Sequence, residues 1–586
     1  MGPLATLRRE GRYLTGLIRT LLWVRSIAAG STNLICDDLE RATDRWRGRP
    51  AISFEGETLT YGALDEMANR CAHWATGQGL ARGATVAILL PNRLDYLPLW
   101  YGLTKIGVVA ALINNQLGGE ALAHCLNISG AEHCIVDAST EAALVAAAPL
   151  LDRPVRGWSI EGLTSGQSGA RPDRAAARTG LTAKDTALLI YTSGTTGLPK
   201  AARITHMRAQ LYMRGFAGST GARPRDRIYV TLPLYHATGG LCAMGAALLT
   251  GASAALRSGF SASQFWDEVA SEKATMFVYI GELCRYLANQ PVAREERAHG
   301  LRLAFGNGLG RDVWVTLEDR FGVPRILEFY GSTEGNVSMF NFDGTRGALG
   351  RVAPYLAGLF HIQLARFDVE KDAPERGADG LCIACKPDEV GECLGAIEPG
   401  ARGEFAGYVD KAASEKKVLR GAFAPGDAWF RTGDLMTRDA DGYFYFVDRI
   451  GDTFRWKGEN VSTTEVAQAL LATPGVKEAT VYGVAVPHHD GRAGMAALVT
   501  DERFDLAGLS AHIDGSLPPY ARPPFLRLTP VLATTGTFKP RKVELAAQGF
   551  DPAKVDGALY FRDPEAGFLL ITPELYARIV SAETRL

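Results

Sequence analysis

Between Thr186 and Lys200 the chain passes from an apolar run, Thr-Ala-Leu-Leu-Ile-Tyr, into Thr192-Ser-Gly-Thr-Thr-Gly197 and closes on Leu-Pro-Lys. The apolar run predicts a strand, and the Ser/Thr/Gly segment after it predicts a loop built around an anion. Gly194 and Gly197 let the backbone turn and come close to a charged ligand, while Ser193, Thr195 and Thr196 offer hydroxyls and Lys200 a positive charge. A polyphosphate suits such a loop. A P-loop would need the lysine directly after its second glycine, and here Leu198 and Pro199 intervene, so Walker A is excluded. The bland alternative is an unliganded turn.

At 586 residues the chain exceeds what one hydrophobic core organises, so at least two domains are expected. Helical patterns such as Tyr61 to Trp74 alternate with short apolar runs such as Val86 to Leu90 and Val108 to Ile113. That alternation predicts an α/β protein: a large N-terminal domain (1–448) of stacked α/β layers with largely parallel sheets. After Phe446 the texture changes, and residues 449–586 are expected to form a smaller, mobile α+β domain. Thr164 to Thr182, rich in Gly, Ala, Arg and Ser, reads as a mobile surface connection.

A net charge of −1 leaves no field to attract a polyanion, so nucleic acid is not an expected partner. The nine scattered cysteines suit reduced thiols and a cytoplasmic location. Cys382 and Cys385 form a C-x-x-C, but no second pair stands at zinc spacing, and Gly380 to Cys385 reads as a strand. The N-terminus lacks the pattern of a cleavable signal peptide. It carries Arg8, Arg9, Arg12, Arg19 and Arg25 among Leu14, Leu17, Ile18, Leu21 and Leu22, the spacing of an amphipathic helix. Such a helix packs on the protein or lies in the plane of an anionic membrane, and the sequence leaves both open. Gly239 to Leu256 has no charge but is mostly small residues, and residues 99–113 contain Lys105; both read as buried elements rather than membrane spans.

The loop string, together with Phe305-Gly-Asn-Gly-Leu309, Glu328-Phe-Tyr-Gly-Ser-Thr-Glu-Gly-Asn336, Arg431-Thr-Gly-Asp-Leu435, Asp448 to Asn460 and Gly536-Thr-Phe-Lys-Pro540, resembles the adenylate-forming superfamily, in the same order along the chain. Phe454-Arg-Trp-Lys-Gly-Glu-Asn-Val-Ser462 and Leu559-Tyr-Phe-Arg-Asp563 resemble the fatty-acid-transport-protein and very-long-chain acyl-CoA synthetase branch. The resemblance implies ATP, Mg2+ and CoA, with a long-chain fatty acid as the acid. It implies that Thr192 to Gly197 and Lys200 hold phosphates, that Thr333 meets a phosphate and Glu334 the metal, and that Tyr330 and Gly331 lie by adenine with Gly306, Asn307 and Gly308. A carboxylate in that turn suits a metal shared with substrate phosphates. Asp434 is implied at the ribose diol, a fit for an acceptor of two hydrogen bonds, with Arg449 nearby.

His236 corresponds to a position near the acyl carboxylate, although a lone His is often structural. The Gly/Ala stretch after it could line an acyl tunnel or pack as a core helix. Lys539 is implied to be the adenylation catalyst, a cation set against the leaving pyrophosphate. Gly458, Glu459 and Asn460 fall on the CoA side, and Gly451 on the pivot of the C-terminal domain, where many relatives carry Asp or Lys. The implied reaction runs through an acyl-adenylate to acyl-CoA. Its rivals are a CoA ligase for a bile-acid-like or carnitine-like acid, a fatty-acid uptake protein, and an enzyme that loads a carrier protein.

Overall fold

The structure, a computed structural model, describes every residue except 1, 2, 193–197, 370, 399–403, 458, 490, 535–539, 564, 565 and 585. It forms two compact units, the first made of residues 1–352, 395–420 and 427–430, the second of 353–394, 421–426 and 431–586. The junction expected at 448/449 lies within the second unit, because Asp434 to Arg438 pair with residues up to Arg449 and Asp448 bonds to the start of the next helix, Thr463–Leu471.

Among the described residues, two sheets lie wholly within the first unit. In one, five parallel strands run in the order Arg156–Ser159, His133–Val136, Thr85–Leu89, Val109–Leu112 and Thr186–Thr192, with Lys200–Thr205 antiparallel at the edge. Val86 to Leu89 are buried on both faces, which is why they read as an unbroken apolar run. The other sheet has eight strands, parallel in its interior and antiparallel at both edges, and includes Leu303–Asn307 and Ile326–Gly331. The expected helix after Thr60 spans Tyr61–Gly77, and the Thr60 hydroxyl caps it by accepting from the Ala63 amide at 3.1 Å. Lys105 ends the helix Tyr96–Lys105 fully buried, with Nζ 2.5 Å from Asp65 Oδ1 and 3.2 Å from Glu40 Oε1.

Two local readings change, and the buried reading of Gly239 to Leu256 holds. Residues 164–182 are pinned rather than loose: Arg171 bonds Asp65 and Asp44, and Arg178 is buried against Asp37 and Glu40. Gly380 to Cys385 makes only isolated bridges at Cys382 and Ala384, since Gly380 turns with φ +79° just before it. Gly239 to Leu256 is a π-helical turn (Thr238–Ala243), a short helix (Met244–Leu248) and a strand (Ser253–Leu256). There a Cβ on Gly239 or Gly240 would overlap the carbonyls of Pro233 or Leu234, and one on Gly245 would overlap Met213. The small residues of this stretch are used for close packing.

The N-terminal helix Pro3–Val24 packs one face on the protein and leaves another exposed. Tyr13, Leu17, Thr20 and Val24 are buried, the helix packs on His206–Thr220, and Arg19 bonds the carbonyls of Gly218 and Ser219. On the opposite side Leu7, Leu14, Ile18, Leu21 and Leu22 are exposed, Ile18 and Leu22 at 54% each. Among the described residues no helix is long and apolar enough to cross a membrane.

In the second unit, Asp434 to Arg438, the end of the strand Ala428–Arg438, pair antiparallel with Tyr443–Arg449. A five-stranded sheet comes next, Val476–Val484, Ala493–Thr500, Phe525–Leu528, Ala558–Asp563 and Gly567–Leu570, with its core around Phe525, which stacks on Phe550 at 4.2 Å.

Candidate functional site

The antiparallel register of Thr186–Thr192 with Lys200–Thr205 sets Thr192 directly opposite Lys200, so the two ends of the expected anion loop meet. Ser193, Gly194, Thr195, Thr196 and Gly197 lie outside the described residues. Beyond Lys200 the strand gains a neighbour that the sequence did not announce. Ala202 bridges Tyr408, the Arg203 amide donates to the Gly407 carbonyl at 3.0 Å, and the Val409 amide to that of Ala201 at 2.9 Å.

This pairing carries Tyr408 to the centre of the group. Its ring lies 5.9 Å from Lys200 Nζ, and its hydroxyl donates to Glu334 Oε1 at 2.7 Å. Burial, then the Glu334 charge, pushes the Tyr408 pKa well up, so the phenol stays a protonated donor. The turn bearing Glu334 is fixed from several sides. Arg208 and Tyr212 each donate to the Ser332 carbonyl at 2.8 Å, the Gly335 amide donates to Ser332 Oγ at 3.1 Å, and Asn336 Nδ2 to the Ala396 carbonyl at 2.7 Å. Arg208 also reaches the Thr333 carbonyl at 3.4 Å. One held carboxylate suits Mg2+, which takes few protein ligands and completes its shell with phosphate oxygens and water. Among the described residues no three His, Cys, Asp or Glu side chains cluster to hold a metal alone, so phosphate oxygens would have to supply the remainder.

Gly306, Asn307 and Gly308 close the strand Leu303–Asn307. Gly306 owes its identity to packing, since a Cβ there would overlap the Tyr279 carbonyl, whereas Gly308 has φ +80°, a backbone conformation that favours glycine, and lies against Gly281. Between them Asn307 Oδ1 is buried and meets no donor among the described residues, an acceptor suited to the exocyclic amine of a purine. Under this loop Glu328 is fully buried, accepting from Tyr279 Oη at 2.5 Å and from the Leu309 amide at 3.1 Å, and burial raises its pKa to about 7. Tyr330 and Gly331 end the neighbouring strand Ile326–Gly331. The His236 ring lies 4.6 Å from that of Tyr235, tilted by 52°, and its carbonyl accepts from the Gly240 amide at 2.7 Å at the start of the π-helical turn. π-turns gather at functional sites, which keeps His236 a candidate.

The second unit carries the other expected residues. Asp434 and Arg449 are cross-strand partners, Oδ1 to Nε 3.5 Å, and Gly433, within the same strand as Asp434, has φ +79°. Arg431, in the same motif, is committed to the buried Glu392, with Nη2 to Oε2 at 2.8 Å. Gly451 has φ +92° and open space around it. On either side of it Asp448 accepts from the Thr463 amide at 2.5 Å, and Lys542 Nζ donates to Asp452 and to Thr463 Oγ1, both at 2.9 Å. Glu459 and Asn460 lie exposed on a short hairpin opposite Trp456 and Arg455; Gly458 and Lys539 lie outside the described residues.

The model of the AMP-binding enzyme family matches residues 39–361, and that of the AMP-binding enzyme C-terminal domain matches 465–539. The chain belongs to the AMP-binding enzyme family. Among curated proteins it is 40% identical over 552 residues to long-chain fatty acid transport protein 6 of Mus musculus, covering 91% of this chain and 88% of that one. To long-chain fatty acid transport protein 3 of Homo sapiens it is 42% identical, covering 86% and 76%. These matches set it on the fatty-acid-transport-protein branch. Its fold is that of the AMP complex of o-succinylbenzoate coenzyme A synthetase from Bacillus subtilis (TM-score 0.71, 24% identity, 88% of this chain and 98% of that one). It is likewise that of a fatty acyl CoA synthetase from Mycobacterium tuberculosis (TM-score 0.63, 23% identity, 88% and 98%). An AMP-forming acid–thiol ligase that uses ATP, Mg2+ and CoA is therefore the class to which this enzyme belongs.

Proposed function

We propose that the acid is a long- or very-long-chain fatty acid, which the enzyme joins to the α-phosphate of ATP and then to CoA. The observation that carries this is about 40% identity, over nine-tenths of the chain, to proteins named for long-chain fatty acids. In this reading Lys200 and the loop from Thr192 bind phosphates, Glu334 holds Mg2+ with Tyr408 fixing its carboxylate, and the Gly306–Gly308 loop with Tyr330 receives adenine. Asp434 and Arg449 bind the ribose, His236 faces the acyl carboxylate, and Lys539 offsets the charge of departing pyrophosphate. No side-chain nucleophile is needed; the work is positioning and charge stabilisation. Residues 449–586 turn about Gly451 between the two half-reactions. The protein sits peripherally on the inner face of a membrane through the exposed arc of its N-terminal helix, bordered by Arg8 and Arg12.

Detergent-free protein with ATP, Mg2+, CoA and a panel of acids, read by mass detection of acyl-AMP and acyl-CoA, tests the reading. Strongest turnover is expected with long-chain acids. Exclusive use of acetate, aromatic, bile-acid-like or carnitine-like acids would overturn the substrate, and uptake without any acyl-CoA would overturn the enzyme.

A further inference from the structure

Beside the exposed arc of the N-terminal helix is an open cleft of about 730 Å³, formed with the helices Ile35–Trp46 and His206–Thr220. Its volume is that of a pocket for one small-molecule ligand. Leu22, Trp23, Trp46 and Leu249 supply apolar wall, and Leu22 belongs also to the exposed arc, so the cleft opens where that arc ends. Its charges are unequal. Asp38, the lone carboxylate of the lining, is already shared by Arg214, with Nε to Oδ2 at 2.7 Å, and by Arg41. Arg45 is exposed, lies 5.0 Å over the Trp46 ring, and pairs with no carboxylate among the described residues. Three guanidinium groups against one carboxylate leave a positive mouth above an apolar wall.

We infer that this cleft is a capture site for a single-chain fatty carboxylate, separate from the residues that handle the nucleotide. The carboxylate pairs with Arg45 and the alkyl chain lies along Trp46, Trp23 and Leu22. One chain matches the volume, which the two chains and headgroup of a phospholipid exceed. The inference rests on the long-chain reading above and adds a place where the acid is held before it reacts.

The test uses the full chain without ATP and palmitic acid bearing a mid-chain diazirine, with labelled peptides mapped by mass spectrometry. Label is expected in peptides spanning Leu22 to Trp46, competed by palmitate but not by a C16 quaternary ammonium. Arg45→Glu should weaken that labelling about tenfold, the loss of one charge-assisted contact, and Arg45→Lys should retain it. Ala42→Trp, which fills the cleft, should abolish it; should that variant not fold, the exposed Arg45 pair decides. Labelling that ignores Arg45→Glu, or that maps elsewhere in folded protein, overturns the inference. Competition by phosphatidylglycerol vesicles and not by palmitate overturns it in favour of a lipid headgroup. Palmitoyl-CoA synthesis is assayed in parallel: its absence with the cleft labelled defeats the substrate reading alone, and normal synthesis with the cleft unlabelled defeats the capture site alone.

Discussion

The Glu334 carboxylate is held by the Tyr408 hydroxyl, which donates to Oε1 at 2.7 Å. Tyr408 carries no local signal, lying in Gly-Tyr-Val-Asp like any strand tyrosine, and only its pairing with Ala202 brings it to Lys200 and Glu334. Tyr408→Phe removes a charge-assisted hydrogen bond worth about 1.5–3 kcal/mol, so adenylation should slow by about 10–100-fold and the Mg2+ requirement should rise. Pyrophosphate release titrated with Mg2+ reads both, and an unaltered Mg2+ curve would remove Tyr408 from the metal's surroundings. Glu328 makes a second prediction at this scale. Its pKa rises from 4.5 in the unfolded chain to about 7 through burial. The unfolded state therefore gives up its proton first: the contribution of neutral Glu328 is fully present below pH 4.5 and is lost as pH rises to about 7, amounting to about 3 kcal/mol. Glu328→Gln should flatten that part of the pH–stability curve in urea denaturation. A loss unchanged by the substitution would place its origin elsewhere.

Among the elements, the buried strands and the helix Tyr61–Gly77 could be read because periodicity and a Thr cap are local properties. The features that escaped reading depend on partners distant in sequence. Arg171 and Arg178 turn an apparent linker into a fastened segment, and Lys105 is buried only because Asp65 and Glu40 face it. For the same reason Gly306 could be recognised as necessary but not why: its space is taken by Tyr279. The N-terminal helix shows how far spacing goes, giving the stripe but not which face would be covered. With Tyr13, Leu17 and Val24 buried, deleting the helix exposes several large side chains at about 1.5–3 kcal/mol each and should unfold or strongly destabilise the protein. Ser at Leu14, Ile18 and Leu21 should instead leave thermal unfolding nearly unchanged and lower sedimentation with anionic liposomes. Equal sedimentation by that variant would show that the arc does not touch lipid.

For the whole molecule, two half-reactions share one chain. Gly451, at φ +92°, cannot be replaced by proline without leaving this conformation, because the ring holds φ near about −65°. Gly451→Pro should therefore separate the half-reactions, more strongly impairing transfer to CoA than acyl-AMP formation, whereas Lys539→Ala should do the reverse. Each half-reaction measured alone decides, and equal retention of both by Gly451→Pro would rule it out as the pivot. Any turn at Gly451 also has to reckon with Asp448, Asp452, Thr463 and Lys542, whose hydrogen bonds span the glycine.

The two-faced N-terminal helix has a kinetic corollary. If the exposed arc rests in the lipid interface, as proposed, the enzyme searches for its substrate in two dimensions. The concentration that governs its rate is then the mole fraction of fatty acid in the bilayer. Adding inert anionic lipid at constant total fatty acid should slow acyl-CoA synthesis through surface dilution, and the Leu14, Ile18 and Leu21 variant should be less sensitive to that added lipid.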